Sequence, residues 1–309
     1  MTAMAVTLPL PRELHAGAVQ LLRQQWPSDA GTVVLDMARQ RFVEPAGSVG
    51  LSCLIDWARA QSQEIRVAVG ACENALYWAR MDFFALLGLE GPEPLSRHDP
   101  DGRFSEIRKV DDPEQVDELT EALASVTTDD ARTFAEHAYI LSEALNNICQ
   151  HSEGSGYCAS QAYPSSGVAK FAIADTGRGL RAALARFTPS SDAAAIAKAL
   201  EVGVSGRSHV EQMMSPNKAR NKGIGLTALT RLIEANNGSY VLWSGTAVRA
   251  HANGRSRMHE TAPWQGVYLA AEVPRVNFRT THSDIIRELT PELREVERQN
   301  ARPRLRRLP

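Results

Sequence analysis

Glu143, Asn147 and His151 fall four residues apart in the run Glu-Ala-Leu-Asn-Asn-Ile-Cys-Gln-His, so on a helix they project together, one turn after another. A carboxamide oxygen can ligate a hard cation, and a carboxylate one turn away can orient or deprotonate an attacking hydroxyl or water. Taken alone, the spacing equally describes a solvated polar face. Asp175-Thr-Gly-Arg-Gly179 follows an apolar, strand-like run. An Asp at the end of a strand can accept a hydrogen bond from an exocyclic amine, and Gly177 and Gly179 permit positive φ and close approach of backbone to a ligand. In isolation this also describes an ordinary exit from strand to turn. The third part is Asn221-Lys-Gly-Ile-Gly-Leu226. Gly223 and Gly225 at a helix start bring N–H groups and the positive dipole end to an anion, and Lys222 supplies a mobile charge beside them. In this order the three parts suit different pieces of a magnesium nucleotide.

The elements that must position them are legible from periodicity. From Asp129 the chain has the period of a long amphipathic helix, with Phe134, Ala138, Leu141, Leu145 and Ile148 on one stripe. The run 168–174 reads as a strand. Leu226, Leu229, Leu232 and Ile233 share a helical face until Asn237-Gly238 stops it. Between Leu180 and Lys222 lie about forty residues with Ser190-Ser191, Gly203, Gly206, Ser208, Pro216 and a short Ala-rich helix near 192–201. A connection this long inside a compact domain reads as a lid, with Arg207, Lys218 and Arg220 as charges within it. A strand over 104–110 and a helix over 113–126 form the entry to this unit.

The three motifs together resemble the N, G1 and G2 boxes of the GHKL superfamily of ATP-binding domains, over about 125–275. The resemblance implies an α+β, two-layer sandwich of the Bergerat type, with ATP and Mg²⁺ as ligands. It assigns Glu143 as general base and Asn147 as magnesium ligand. It makes Asp175 the adenine-reading carboxylate, with Gly177 and Gly179 beside base and ribose, and it puts Lys222, Gly223, Gly225 and Leu226 at the phosphates. His151 sits where many kinase N boxes carry a basic residue, although a structural role suits it equally. In the closing strand, 265–274, Val267 stands where many members place a Thr that helps hold water beside the adenine Asp.

The N-terminal part has its own pattern. Strands at 32–37 and 65–69 flank a helix from Gly50 to Arg59, amphipathic through Leu51, Leu54, Ile55 and Ala58, and a further helix follows from about Glu73 to Leu87. Over roughly 1–90 this resembles a STAS domain, the α/β fold of anti-sigma-factor antagonists. Phosphorylatable STAS domains carry Asp-Ser-Ser/Thr-Gly at the helix start. This chain has Glu44-Pro45-Ala46-Gly47, with Ser48 one residue beyond, which favours a docking or dimerising module over a phosphoryl acceptor. The expected organisation is a STAS-like domain at 1–90, a linker at 91–102, an ATP-binding domain at 103–280 with its lid at 180–222, and a C-terminal helix and basic tail at 281–309. The tail arginines, Arg298, Arg302, Arg304, Arg306 and Arg307, suit a solvated terminus.

Composition bounds the rest. A chain of 309 residues has room for two domains, and a net charge of -2 argues against a dedicated nucleic-acid surface. No apolar stretch approaches the ~20 residues of a membrane span, and the start lacks a signal-peptide pattern, so a cytoplasmic location is expected. Cys53, Cys72, Cys149 and Cys158 fit no CxxC or zinc spacing and read as reduced, mostly buried thiols. A histidine kinase would need a helical hairpin with an acceptor His before the first motif. Residues 91–128 are too few for one, the only His there is His98, and His137 lies inside the motif helix. Two functions remain. One is an ATPase or anti-sigma-type protein serine/threonine kinase whose partner or substrate belongs to a STAS-domain or sigma-factor pathway, acting as a homodimer. The other is a nucleotide-gated interaction module with little turnover.

Overall fold

The computed structural model describes residues 5–93, 102–151, 155–204 and 224–301. Lys222 and Gly223, the residues Gly206, Arg207, Ser208, Pro216, Lys218 and Arg220 of the expected lid, His98, and the tail beyond 301 lie outside the described residues, as do the side chains of Cys149 and His151. In chain order the first part runs β1 (Ala5–Pro9), β2 (Glu13–Leu14), α1 (Ala16–Gln25), β3 (Thr32–Asp36), β4 (Phe42–Val43), α2 (Pro45–Ala60), β5 (Glu64–Ala68), α3 (Ala75–Arg80) and α4 (Phe83–Leu86). The second runs β6 (Phe104–Val110), α5 (Val116–Thr127), α6 (Ala131–His151), β7 (Gly156–Tyr163), β8 (Val168–Asp175), α7 (Gly179–Ala183), α8 (Asp192–Ala199), α9 (Gly225–Ala235), β9 (Ser239–Ala252), β10 (Arg255–Pro274) and α10 (His282–Ala301). The fold is mixed α/β. A small parallel sheet, β1-β3-β5, forms the N-terminal region, and a five-stranded antiparallel sheet, β6-β7-β8-β10-β9, is packed with helices.

Strand β8 shows why the large sheet reads as a nearly continuous apolar run. Its residues alternate between faces: Ala169, Phe171 and Ile173 enter a core with α5, α6, α9 and α10, while Ala172 and Ala174 enter a second core with α1 and α2. Both faces are covered, so the polar half of the usual antiparallel alternation is missing.

The second core is continuous with that of the small sheet. Helix α2 lies between the two sheets and is buried from Pro45 through Ile55. The sequence suggests an amphipathic helix from Gly50. The observed helix starts five residues earlier, with Pro45 in its first turn, and it is apolar all round because each side meets a sheet. Polar contacts fix it there. The Tyr157 hydroxyl donates to Asp56 Oδ2 at 2.6 Å, the Tyr268 hydroxyl to the Ala46 carbonyl at 2.9 Å, and Lys170 Nζ to Glu44 Oε1 at 2.7 Å. The helix expected over 73–87 is broken in two, because Asp82 adopts φ 60 and turns the chain between α3 and α4.

Strands β9 and β10 continue past the sheet as a two-stranded arm closed by Asn253 and Gly254, both at positive φ, the conformation of a tight hairpin turn. The arm rests on α1, where Gln24 Nε2 donates to Thr261 Oγ1 at 2.9 Å. Cys53, Cys72 and Cys158 are free and buried, and no helix among the described residues is long and apolar enough to cross a membrane.

His137, in α6, is 2 % exposed. Its Nδ1 pairs with Thr127 Oγ1 at 2.8 Å and its ring meets Phe278 edge-on. Burial, with a smaller push from Arg275 and an opposing pull from the Pro274 carbonyl, lowers its pKa from 6.5 to about 4. A folded pKa below the unfolded one means that the neutral ring is the form folding favours. Its stabilisation is complete above pH 6.5 and is lost as pH falls through 4, by up to about 3 kcal/mol. Denaturant titrations at pH 7.5 and 4.5 should show that difference, and His137→Leu should flatten it. An equally steep pH dependence in the variant would assign the loss to other groups.

Candidate functional site

Asp175 ends the central strand β8, and the alternation along that strand turns its side chain toward the layer of α5, α6 and α9. It is 2 % exposed. Each carboxylate oxygen accepts a backbone N–H, Oδ1 from Gly177 at 2.8 Å and Oδ2 from Val267 at 3.2 Å. Burial raises its pKa from 3.8 to about 7, against the pull of these two N–H groups. A carboxylate held this way keeps lone pairs to accept from a further donor and is poised to change protonation near neutrality.

Strand β10 is irregular here, with register shifts on both sides of Trp264. Such bulges re-aim a strand beside a site. Trp264 Nε1 donates to the Asp175 carbonyl at 3.1 Å and Gln265 Nε2 to the Thr176 carbonyl at 2.9 Å. Gly266 follows at φ 95, where a Cβ would sit 2.2 Å from the Asp175 carbonyl oxygen and 2.5 Å from Oδ1. No other residue fits without moving Asp175. The Val267 side chain packs against the helix-side core while its N–H binds Asp175. Val267 thus serves Asp175 through its backbone. After Asp175 the chain passes Gly179, at φ 73, into α7, and Ser244 Oγ ties the two ends together. It accepts the Leu180 N–H at 2.9 Å and donates to the Gly266 carbonyl at 2.8 Å.

Helix α6 reaches Asp175 through Ile148. That side chain closes on Gly156, where a Cβ would lie 3.0 Å from Ile148 Cδ1, and Gly156 is the register partner of Asp175. Asn147, one residue before, is half-buried. Glu143, one turn back, is 8 % exposed, so this side of α6 is no solvated polar face. It faces the start of α9: a Cβ on Gly225 would fall 2.0 Å from Glu143 Oε2. The helix that Gly225 opens has no side-chain cap hydrogen bond at its N-cap, Ile224. Thr227 Oγ1, buried in its first turn, has no partner among the described residues. Leu226 is half-buried against the helix-side core.

Of the residues singled out from sequence, Glu143, Asn147, Asp175, Gly177, Gly179, Gly225 and Leu226 therefore lie on elements that meet at one end of the sheet. Lys222 and Gly223 fall outside the described residues. Sequence reasoning missed Gly266, Trp264 and Ser244. An isolated Gly inside a strand run is a signal of bulge or close approach, and Gln265-Gly-Val267 carried it. The first half of the segment expected to form a lid is anchored: Asp192 Oδ2 accepts from Thr246 N at 2.9 Å, and Gly203 lies against α10, where a Cβ would sit 2.8 Å from Val296 Cγ1. Among the described residues, no cluster of three or more His, Cys, Asp or Glu could hold a metal. Comparison of the chain with models of protein families, with characterised proteins and with solved structures finds no match.

Proposed function

We propose that this chain is a regulatory Mg-ATP-binding protein of the GHKL type, with ATPase or anti-sigma-type protein serine/threonine kinase activity, built on a STAS-like N-terminal domain. The observation that carries the reading is the closure of Glu143 onto Gly225 at the mouth of α9, on the helix that also reaches the level of Asp175. That Glu143, Asp175 and Gly225, drawn from motifs some eighty residues apart, lie on elements that meet at one end of the sheet supports this reading. In this reading Asp175 accepts a hydrogen bond from the adenine amine. The first turn of α9, with no side-chain cap hydrogen bond at Ile224, and the unspent Thr227 hydroxyl suit a phosphate. Asn147 would hold the magnesium ion, with Lys222 and Gly223 completing the phosphate motif. ATP supplies a transferable phosphoryl group, and Mg²⁺ offsets its charge. Glu143, near that transfer, orients and deprotonates the attacking hydroxyl or water.

A second reading, a nucleotide-gated interaction module with little turnover, draws support from α2. The Tyr157–Asp56 hydrogen bond links β7, beside Asp175, to the N-terminal part, so a nucleotide-dependent shift at Asp175 has a packed route to that surface. Incubation with Mg-ATP labelled at the γ-phosphate, scoring phosphate release and transfer to protein, separates the two: the first reading expects release or transfer, and binding without either favours the second.

The same samples test the N-terminal segment. Ser48 is 2 % exposed and its hydroxyl donates to the Pro45 carbonyl at 3.2 Å between the two sheets, so mass spectrometry should find residues 44–48 unmodified. Stoichiometric phosphate on Ser48 would show that α2 leaves the sheet and that the chain is its own substrate.

A further inference from the structure

We infer a second, separate binding site at the opposite side of α1, for a small anionic amphiphile: a carboxylate or phosphate head on an apolar body. A groove of about 610 Å³ opens there between the ends of β1 and β3 and the stripe of α1 that carries Ala18, Leu21, Leu22 and Gln25, a size typical of small-molecule sites. It lies beyond the carboxyl ends of two parallel strands, Pro9 of β1 and Asp36 of β3, where open parallel sheets take their ligands.

Its floor and mouth are apolar. Leu10 and Leu22 are each 2 % exposed and Ala18 4 %, while Leu21 at the mouth is 56 % exposed. Its charge is of one sign. Arg12, Arg39 and Arg41 line it, with Gln25, and no carboxylate does, in a chain whose net charge is -2. The Arg12 carbonyl accepts the N–H groups of Arg41 and Phe42 at 2.8 and 3.1 Å, which sets the two arginines side by side. Arg41 pairs with Glu73. Among the described residues Arg12 and Arg39 have no carboxylate partner, and the nearby Asp36 spends Oδ1 on the Ala38 N–H.

An apolar body would cover Leu21 on the floor of Leu10, Ala18 and Leu22, and the head would take the two unpaired guanidinium groups. A head with no body leaves the apolar mouth wet, and a cationic head meets like charge. Both halves of the ligand are therefore specified.

The test is calorimetric titration of the full chain, below micelle concentrations, with dodecyl phosphate and dodecanoate. Inorganic phosphate, acetate and dodecyltrimethylammonium are the controls. The two anionic amphiphiles should bind at one site and the controls should not. Arg12→Glu with Arg39→Glu, two exposed positions, should weaken binding roughly tenfold or more, as should Leu21→Asp, with circular dichroism unchanged. Equal binding of the cationic amphiphile, binding of the head groups alone, or affinity untouched by these substitutions would overturn the proposal. So would capture of an acidic amphipathic peptide in place of either probe, which would make the groove a protein-docking face. None of these outcomes depends on ATP, so failure here leaves the nucleotide reading standing, and failure of that reading leaves this one.

Discussion

Glu143→Ala is expected to reduce ATP turnover by ~10²–10⁴-fold, the usual contribution of a positioned general base, while ATP affinity stays within about threefold of wild type. The separation follows from geometry. Glu143 faces Gly225 at the start of α9, and Asp175, which would hold the base, is fixed by Gly177 and Val267 and not by Glu143. A companion variant sharpens the point. Gly225→Ala places a methyl group 2.0 Å from Glu143 Oε2, so either the carboxylate or the helix start must move, and turnover should fall although Glu143 is still present. Normal turnover in Glu143→Ala, measured as released phosphate, would remove Glu143 from the chemistry.

The second large effect concerns the N-terminal part. Deleting residues 1–93 should yield an insoluble or loosely packed remainder. The deletion strips the cover from Tyr157, Ala159, Ala172, Ala174, Trp243, Tyr268 and Ala270, all buried in the core shared with α1 and α2. Re-exposing a large apolar side chain costs about 1.5–3 kcal/mol, and losing several exceeds the ~5–15 kcal/mol that hold a typical domain. A point variant tests the same interface in the whole chain. Tyr268 is fully buried and bonds to Ala46, and Tyr268→Ala should cost about 3–5 kcal/mol in denaturant unfolding. A soluble truncated protein that unfolds cooperatively and keeps the ATP affinity of the whole chain would contradict the shared core.

That interface also marks where the sequence ceases to be legible. The apolar stripe of α6 and the run ending in Asp175 have periods that local physics dictates, and both elements stand where those periods put them. Helix α2 was readable as a helix but not as a filling between two sheets, because burial on its second side comes from Tyr157, Ala172 and Tyr268, more than a hundred residues away. The polar side of α6 was ambiguous for the same reason: whether Glu143 meets water or Gly225 depends on a helix eighty residues on. Strand β1 is five residues long and ends in Pro9, and its pairing with β3 is purely tertiary. The bulged approach of β10 to Asp175 left only Gly266 as its trace in the sequence.

The central claim is that Asp175 reads the adenine amine as a carboxylate. Its pKa of about 7 supplies a direct test. An acid whose folded pKa is raised must give up a proton before it can accept in full from a donor, so ATP affinity should rise about tenfold per pH unit from pH 5.5 toward 7 and level off above it. Calorimetric titration of wild type and Asp175→Asn with ATP across pH 5.5–8.5, and with GTP at pH 8, is the decisive measurement. The account predicts that rise in wild type. In the variant it predicts weak, pH-independent binding with little discrimination against GTP, because an amide donor would then face a donor. ATP affinity that is the same in both proteins at every pH would contradict it.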